Sequence, residues 1–123
     1  MSTHITDRPP RLTMGDQARE IVALAGLAAE YADMPAAFIT VSDVPGALHI
    51  DLQLDSPQDF EVWRAALGID PQSVLLRLSG RDSWLSTEAG EYRGVSVGLA
   101  GFGVELTREQ ADEPRELRAA VAA

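Results

Sequence analysis

The feature that most constrains the fold is a series of short runs, between Ala36 and Leu106, in which apolar and polar side chains alternate. In the clearest run, 47–54, leucine or isoleucine occupies every second position from Leu48 onwards and polar residues fill the positions between them. Because successive side chains of a strand point to opposite faces, this alternation predicts a strand with one buried and one solvated face. The sheet is therefore expected to be covered on one side only.

Turn residues divide the chain into five predicted strands and two predicted helices. The strands are predicted at Ala36–Ser42, at Ala47–Leu54, from Val74 to Leu78, at Ser83–Glu88 and from Glu91 onwards, with helices at about 16–32 and about 57–67. Turns at Asp43–Gly46, Ser79–Asp82 and Ala89–Gly90 join sequential strands as hairpins. The order α-β-β-α-β-β-β predicts an α+β fold of two layers, in which a mainly antiparallel five-stranded sheet carries both helices on one face.

The second helix has the clearest boundaries. Ser56 supplies a cap, Pro57 suits the first helical position, and Gly68 follows the helix where a left-handed residue is needed. The first helix is predicted to begin at the capping residue Asp16 and to end before Pro35. Its core-facing stripe is predicted to consist of Ile21, Leu24, Ala25, Ala28 and Tyr31.

The last strand changes the parity of its apolar positions. They are odd at Val95, Val97 and Leu99 but even at Phe102, Val104 and Leu106. A shift of one residue reverses the face that each side chain meets. We therefore predict a bulge or bend at Ala100–Gly101, where glycine tolerates the required backbone angles.

The chain has the length of one domain. Residues 1–14 contain Pro9 and Pro10 and no apolar period, so a flexible arm is predicted there. Residues 15–106 form the predicted domain, and 107–123 form a predicted weakly helical C-terminal segment.

Composition disfavours several classes of function. The chain has no cysteine, which removes disulfides, thiolate nucleophiles and sulfur-ligated metal sites and favours a cytoplasmic setting. No signal-like start or long apolar run is present, so no contact with a membrane is predicted. A net charge of −9 without a basic stripe disfavours direct binding to nucleic acid. The glycines of Gly98–Gly103 lack the spacing of a phosphate-binding loop, and no cofactor is predicted.

His49 and Asp51 are two residues apart on a predicted strand and therefore share a face, where Arg77 could make a cross-strand contact. A histidine beside a carboxylate can act as a base or a metal ligand. A triad also needs a nucleophile, however, and a metal needs about three protein ligands. The alternative is a solvated strand face, so no catalytic or metal residue is assigned and an enzyme is not favoured.

Trp84 and Tyr92 flank the predicted turn at Ala89–Gly90 and are expected to pair across that hairpin. Exposed aromatic side chains near a turn are frequent anchors for a protein partner. The pair is therefore either a binding site or a stabilising contact within the sheet.

An acidic face is predicted from Asp55, Asp59 and Glu61, with Asp43 and Asp51 close in sequence. Such a row could imitate phosphates, or its oxygens could bind a divalent cation. The alternative is a solvated face, in which Asp55 and Asp59 favour the start of the second helix.

Ala47–Leu54, the segment from Ser56 to Gly68 and the segment from Gly90 to Val97 together resemble small uncharacterised proteins encoded by phages and integrating mobile elements of GC-rich bacteria. The resemblance covers most of residues 15–106. It implies an accessory or host-interaction role and no catalytic motif.

These observations lead to one hypothesis and two alternatives. The hypothesis is a non-catalytic protein–protein interaction module, an accessory protein of a mobile element, whose exposed edge strands could pair with a second copy as a homodimer. One alternative is an acidic nucleic-acid mimic that inhibits a DNA-binding protein. The other is a small-ligand-binding or enzymatic domain that uses the polar sheet face.

Overall fold

The computed structural model describes residues 11–106, which form two α-helices, a short 3₁₀ helix and five strands. The helices are α1 (Ala18–Glu30) and α2 (Pro57–Ala66), the 3₁₀ helix is Pro71–Ser73, and the strands are β1 (Phe38–Val41), β2 (Ile50–Leu54), β3 (Leu75–Ser79), β4 (Asp82–Tyr92) and β5 (Val95–Phe102). The prediction of an α+β fold with two helices and five strands is confirmed. Residues 1–10 of the predicted arm and the predicted C-terminal segment 107–123 lie outside the described residues.

The strand order in the sheet is β1-β2-β5-β4-β3. Three neighbouring pairs are antiparallel, but β2 and β5 run parallel, so the sheet is mixed. The prediction of a mainly antiparallel sheet is therefore wrong for the central pairing. The physical reason is that α2 carries the chain from β2 past two strand positions to β3, and the meander β3-β4-β5 then returns to fill the gap.

Helix α2 forms as its sequence predicts. The Ser56 hydroxyl accepts a hydrogen bond of 3.1 Å from the backbone N–H of Asp59, and Pro57 is the first helical residue. Gly68 has a φ of +66°, a conformation that residues with a Cβ adopt at a cost. The helix lies so close to β5 that a Cβ on Gly101 would come within 2.5 Å of the Phe60 Cβ.

Helix α1 begins later than predicted. Its N-cap position is Gln17, which makes no side-chain cap, and Asp16 instead closes the preceding turn with Thr13. In that turn the Thr13 N–H donates to an Asp16 carboxylate oxygen at 2.8 Å. The Gln17 amide donates to the Ser42 carbonyl at 3.0 Å, which holds the start of α1 against the end of β1.

The buried face of α1 also differs from the predicted stripe. Glu20, Ala23 and Leu27 are buried, whereas Ile21, Ala25 and Ala28 are exposed and Leu24 and Tyr31 are half-buried. The helix is thus rotated by about one residue, or roughly 100°, from the orientation that hydrophobicity alone favours. This rotation places Ala23 and Leu27 in the core.

The core lies between the helices and one face of the sheet. Its members are Ala23, Leu27, Ile50, Leu52, Leu54, Phe60, Trp63, Ile69, Val74, Tyr92, Val95, Val97 and Leu99. The Trp63 indole N–H donates to the Pro35 carbonyl at 2.8 Å, so the loop after α1 is fastened to α2. None of the helices in residues 11–106 has the length and apolar character needed to cross a membrane.

The last hairpin turns at a different place from the one predicted. β4 continues to Tyr92 and the chain reverses at Arg93–Gly94, both in the left-handed region, rather than at Ala89–Gly90. The irregularity in pairing lies inside β4, between Thr87 and Gly90. It allows side chains before and after it to face the helices although their parity differs.

β5 pairs with β4 without interruption through Ala100–Gly101, so the predicted bulge at that position is wrong. The change of parity has a different cause. Phe102 does not face the helices but lies on the other side of the sheet against Trp84, with ring centroids 5.8 Å apart. Gly101 takes the helix-facing position, where only a hydrogen fits beneath α2.

Candidate functional site

The face of the sheet turned away from the helices, here called the open face, carries four of the five binding residues predicted from the sequence. The predicted contact of Arg77 with the His49–Asp51 pair is wrong, because β5 and β4 lie between β2 and β3 and Arg77 instead donates to the Ser86 hydroxyl at 3.2 Å. Arg77 of β3 stands opposite Trp84 of β4, and Asp51 of β2 stands opposite Gly98 of β5. His49 contacts Asp51 from the same side. The fold therefore assembles one polar surface from strands that are distant in sequence.

His49 is held between two hydrogen-bond acceptors. Its Nδ1 lies 2.7 Å from the Ala47 carbonyl oxygen, and its Nε2 lies 2.8 Å from an Asp51 carboxylate oxygen. Neither acceptor can donate a proton, so both ring nitrogens are donors only when the imidazole is protonated. The hydrogen bond to Ala47 raises the pKa of His49, and the negative charges of Asp51 and Glu88 act in the same direction against the opposing effect of burial.

This arrangement limits the chemistry available to His49. When His49 is protonated, it donates from both ring nitrogens and has no free lone pair for a further proton or a metal ion. Within residues 11–106 no three histidine, cysteine, aspartate or glutamate side chains converge closely enough to hold a metal ion.

Gly98 forms the floor of the open face. A Cβ at this position would lie 2.5 Å from an Asp51 carboxylate oxygen, so the Asp51 side chain occupies the space that the glycine leaves. Two depressions of about 320 and 270 Å³ adjoin Gly98, and Glu88 lines both of them. Sequence reasoning missed Glu88 because its face depends on the irregularity in β4, which no local pattern indicates.

The aromatic residues of the predicted site separate to opposite faces. Trp84 pairs with Phe102 on the open face, and the predicted contact between Trp84 and Tyr92 is wrong. Tyr92 is buried on the helix side, where its hydroxyl donates to a Glu30 carboxylate oxygen at 3.0 Å. Burial and this hydrogen bond raise the pKa of the Tyr92 phenol. Tyr92 thus belongs to the core, because the register shift in β4 turns it inwards.

The residues of the acidic face predicted from the sequence, Asp55, Asp59 and Glu61, lie just after β2 and in α2. Asp55 follows the end of β2, and Asp59 lies in the first turn of α2. Glu61 is engaged by the Arg64 guanidinium at 2.5 and 2.8 Å, which lowers the pKa of that carboxyl. One of the three charges is therefore neutralised locally. Asp43 precedes β2 and is separated from Asp55 by the whole strand.

A second candidate surface is the edge strand β1. Within the described residues β1 has β2 as its single neighbour in the sheet. Phe38 is 67% exposed and Ile39 44% exposed, and the strand Phe38–Val41 contains no charged residue. Apolar and uncharged edges are the ones on which proteins add further strands.

The edge adjoins an apolar groove of about 200 Å³ between α1, the loop after it and β1. Ile39, Leu24 and Tyr31 line the groove, with Trp63 among the residues that complete it. A side chain that entered the groove would contact both β1 and α1. Edge and groove together form one continuous apolar surface.

A comparison of the chain with protein-family models found no match, and comparisons with curated proteins and with solved structures found none either. The candidate surfaces therefore rest on geometry and physical chemistry alone.

Proposed function

We propose that the protein is a non-catalytic protein–protein interaction module that forms a homodimer through β1. The observation that carries this proposal is the uncharged, exposed edge of β1, with Phe38 and Ile39 unprotected. The opposite edge strand, β3, carries Arg77, a charge of the kind that blocks strand addition. An accessory role for a mobile element, acting in the cytoplasm, is part of the proposal and is supported by the sequence resemblance and the lack of cysteine.

The backbone of β1 has the geometry for symmetric pairing. The Ser42 N–H donates to the His49 carbonyl, so alternate residues of β1 from Ser42 backwards bond to β2. The N–H and C=O groups of Ile39 and Val41 then point away from the sheet. Two copies related by a two-fold axis at Thr40 place Ile39 opposite the partner's Val41, and four hydrogen bonds form.

Side-chain burial contributes to this pairing. A phenylalanine offers about 150–250 Å² of surface, so the exposed part of Phe38 amounts to roughly 130 Å² in each copy. At about 25 cal/mol per Å², covering most of that surface contributes up to ~3 kcal/mol per copy. A four-residue strand forms less than a standard interface, and we expect a dissociation constant on the order of 1–100 µM.

Electrostatics separates this proposal from nucleic-acid mimicry. Each copy carries a net charge of −9, so two copies repel each other and added salt should strengthen the dimer. A complex between an acidic mimic and a basic protein should weaken with salt. The pairing of Glu61 with Arg64 reduces the free negative charge of the predicted acidic face, so we propose the dimer and not mimicry.

Sedimentation equilibrium at about 1–200 µM protein, in about 50 mM and 500 mM NaCl, tests the dimer. Ile39→Glu places like charges near the two-fold axis and should weaken association more than about tenfold. Val62→Glu is the matched control, because Val62 lies on α2 with a similar 45% exposure, and it should leave association unchanged.

A second variant keeps the test independent of charge. Val41→Pro removes one outward N–H and none of the bonds to β2, so the fold should persist while the dimer weakens. Circular dichroism confirms that each variant is folded. A wild-type chain that stays monomeric at every concentration, or a dimer that survives both variants, overturns the proposal.

A second candidate function is small-ligand binding on the open face, favoured by the two depressions beside Gly98, one lined by His49 and the other by Asp51, Arg77 and Trp84. It predicts that some member of a metabolite panel raises the melting temperature and that the double variant His49→Ala, Asp51→Ala abolishes the shift. Arg81→Ala, in the turn between β3 and β4, is the control. No shift with any compound, or a shift that persists in the double variant, would exclude this function.

A further inference from the structure

A third depression, of about 360 Å³, lies near the beginning of β5. Its polar walls are Asp16, Arg19 and Glu20 near the start of α1 and Ser96 of β5, and its apolar walls are Leu48 and Val95. It is separate from the β1 edge. None of these residues was singled out from the sequence as part of a site.

Glu20 is the unusual member of this depression. Glu20 is only 5% exposed, and its Oε1 has no hydrogen-bond partner. Among the buried side-chain nitrogens and oxygens of residues 11–106, it is the one atom in this condition. A carboxylate oxygen withdrawn from water without a partner is strongly unfavourable, so the site favours a cation that supplies hydrogen-bond donors.

The neighbouring arginine does not supply this cation at contact distance. Arg19 directs its Nη2 to the Gly94 carbonyl at 2.8 Å, and no Arg19–Glu20 ion pair shorter than 4 Å is present. The charged residues that line the depression are Asp16, Arg19 and Glu20, which give it a local formal charge of about −1. One more positive charge would balance the site.

We propose that this depression binds a guanidinium group. A guanidinium is planar, carries five N–H donors and can pair with both oxygens of the Glu20 carboxylate, while Asp16 and the Ser96 hydroxyl accept its remaining donors. Leu48 and Val95 provide apolar contact for the attached alkyl chain. The terminal torsion of a glutamate is broad, so the carboxylate can turn Oε1 towards the ligand.

Titration of the ¹⁵N-labelled full-length protein with agmatine, followed by amide chemical shifts, tests the site. The amides of Gly94, Val95 and Ser96 should shift in a saturable way, with half-saturation on the order of 1 mM. The tripeptide Gly-Arg-Gly distinguishes the source of the group. Tighter binding of the peptide indicates an arginine side chain of a polypeptide, and tighter binding of agmatine indicates a free small molecule.

Glu20→Gln keeps the shape of the side chain and removes its charge, so binding should weaken more than about tenfold. Asp33→Asn, which neutralises an exposed acid beyond the other end of α1, is the control and should bind as the wild type does. The peptide Gly-Lys-Gly should bind several-fold more weakly than Gly-Arg-Gly, because an ammonium cannot form the paired contacts.

If Glu20→Gln does not fold, the comparison of Gly-Arg-Gly with Gly-Lys-Gly on the wild-type protein still tests the proposal. Shifts that fail to saturate, equal binding by wild type and Glu20→Gln, or equal binding of the arginine and lysine peptides would each overturn the proposal.

Discussion

The contrast between Gly101 and Gly98 offers a sharp test of the packing described above. The two glycines lie three residues apart on β5 and on opposite faces, and a Cβ on either one would come within 2.5 Å of another atom. On Gly101 that atom is the Cβ of Phe60, which is fixed to the backbone of α2. On Gly98 it is the Asp51 carboxylate oxygen, the far end of a side chain that can rotate away.

The substitution Gly101→Ala should therefore destabilise the protein much more than Gly98→Ala. Overpacking against a fixed helix costs about 1–3 kcal/mol, offset by about 0.4–1 kcal/mol because alanine restricts the unfolded chain. The middle of these ranges is a net loss of about 1–2 kcal/mol, which corresponds to a melting temperature lower by roughly 5–15 °C in a domain of this size. Gly98→Ala gives up the Asp51 contact with His49, worth about 0.2–1 kcal/mol, and gains a similar amount from the unfolded state.

Urea unfolding, followed by tryptophan fluorescence and circular dichroism, measures the difference directly. We expect the free energy of unfolding to fall by more than about 1 kcal/mol for Gly101→Ala and to change by less than about 0.5 kcal/mol for Gly98→Ala, with equal m-values. If the two variants were equally stable, α2 would not lie against β5 as closely as the structure has it, and the reasoning from the Phe60 contact would fail.

Three further results are expected from urea unfolding of single variants. Ser56→Ala removes the cap of α2 and should lower the free energy of unfolding by about 0.5–2 kcal/mol; no change would show that the cap is not formed. Trp63→Phe leaves the Pro35 carbonyl without its donor and should lower the free energy of unfolding by about 1–3 kcal/mol; no change would show that this hydrogen bond is not formed. The pKa of His49 is raised on folding, so the contact with Asp51 stabilises the protein below the unfolded pKa of about 6.5 and is lost as the pH rises through the folded pKa. Asp51→Asn should therefore destabilise by up to ~1 kcal/mol at about pH 5.5 and by less at about pH 8, and an equal effect at both would refute the assignment.

Local patterns were sufficient to predict the number and type of the elements. Serine, proline and glycine mark the ends of α2 because their effects act within one helical turn. The alternation in 47–54 likewise predicts which side chains of β2 enter the core, and Ile50, Leu52 and Leu54 are buried as expected. These inferences need only neighbours in sequence.

The strand order could not be predicted in this way, because an alternating pattern identifies the buried face of a strand and not its neighbour. One unused signal was present in β5. Its eight residues, Val95–Phe102, include Ser96 as their single polar side chain, which is typical of a strand at the centre of a sheet. No comparable sequence signal indicates the irregularity between Thr87 and Gly90. That irregularity turns Tyr92 into the core and leaves Glu88 exposed on the open face.

The orientation of α1 is the place where sequence and structure disagree most. The predicted stripe would bury Ile21, whereas the structure buries Glu20 and leaves Ile21 39% exposed. Sequences usually agree with their folds at every level, and conflicts tend to be retained at functional sites. Packing alone does not explain the choice, since apolar side chains were available one position away. A carboxylate held out of water without a hydrogen-bond partner is what the proposed guanidinium site requires, and the same rotation leaves Ile21 39% exposed.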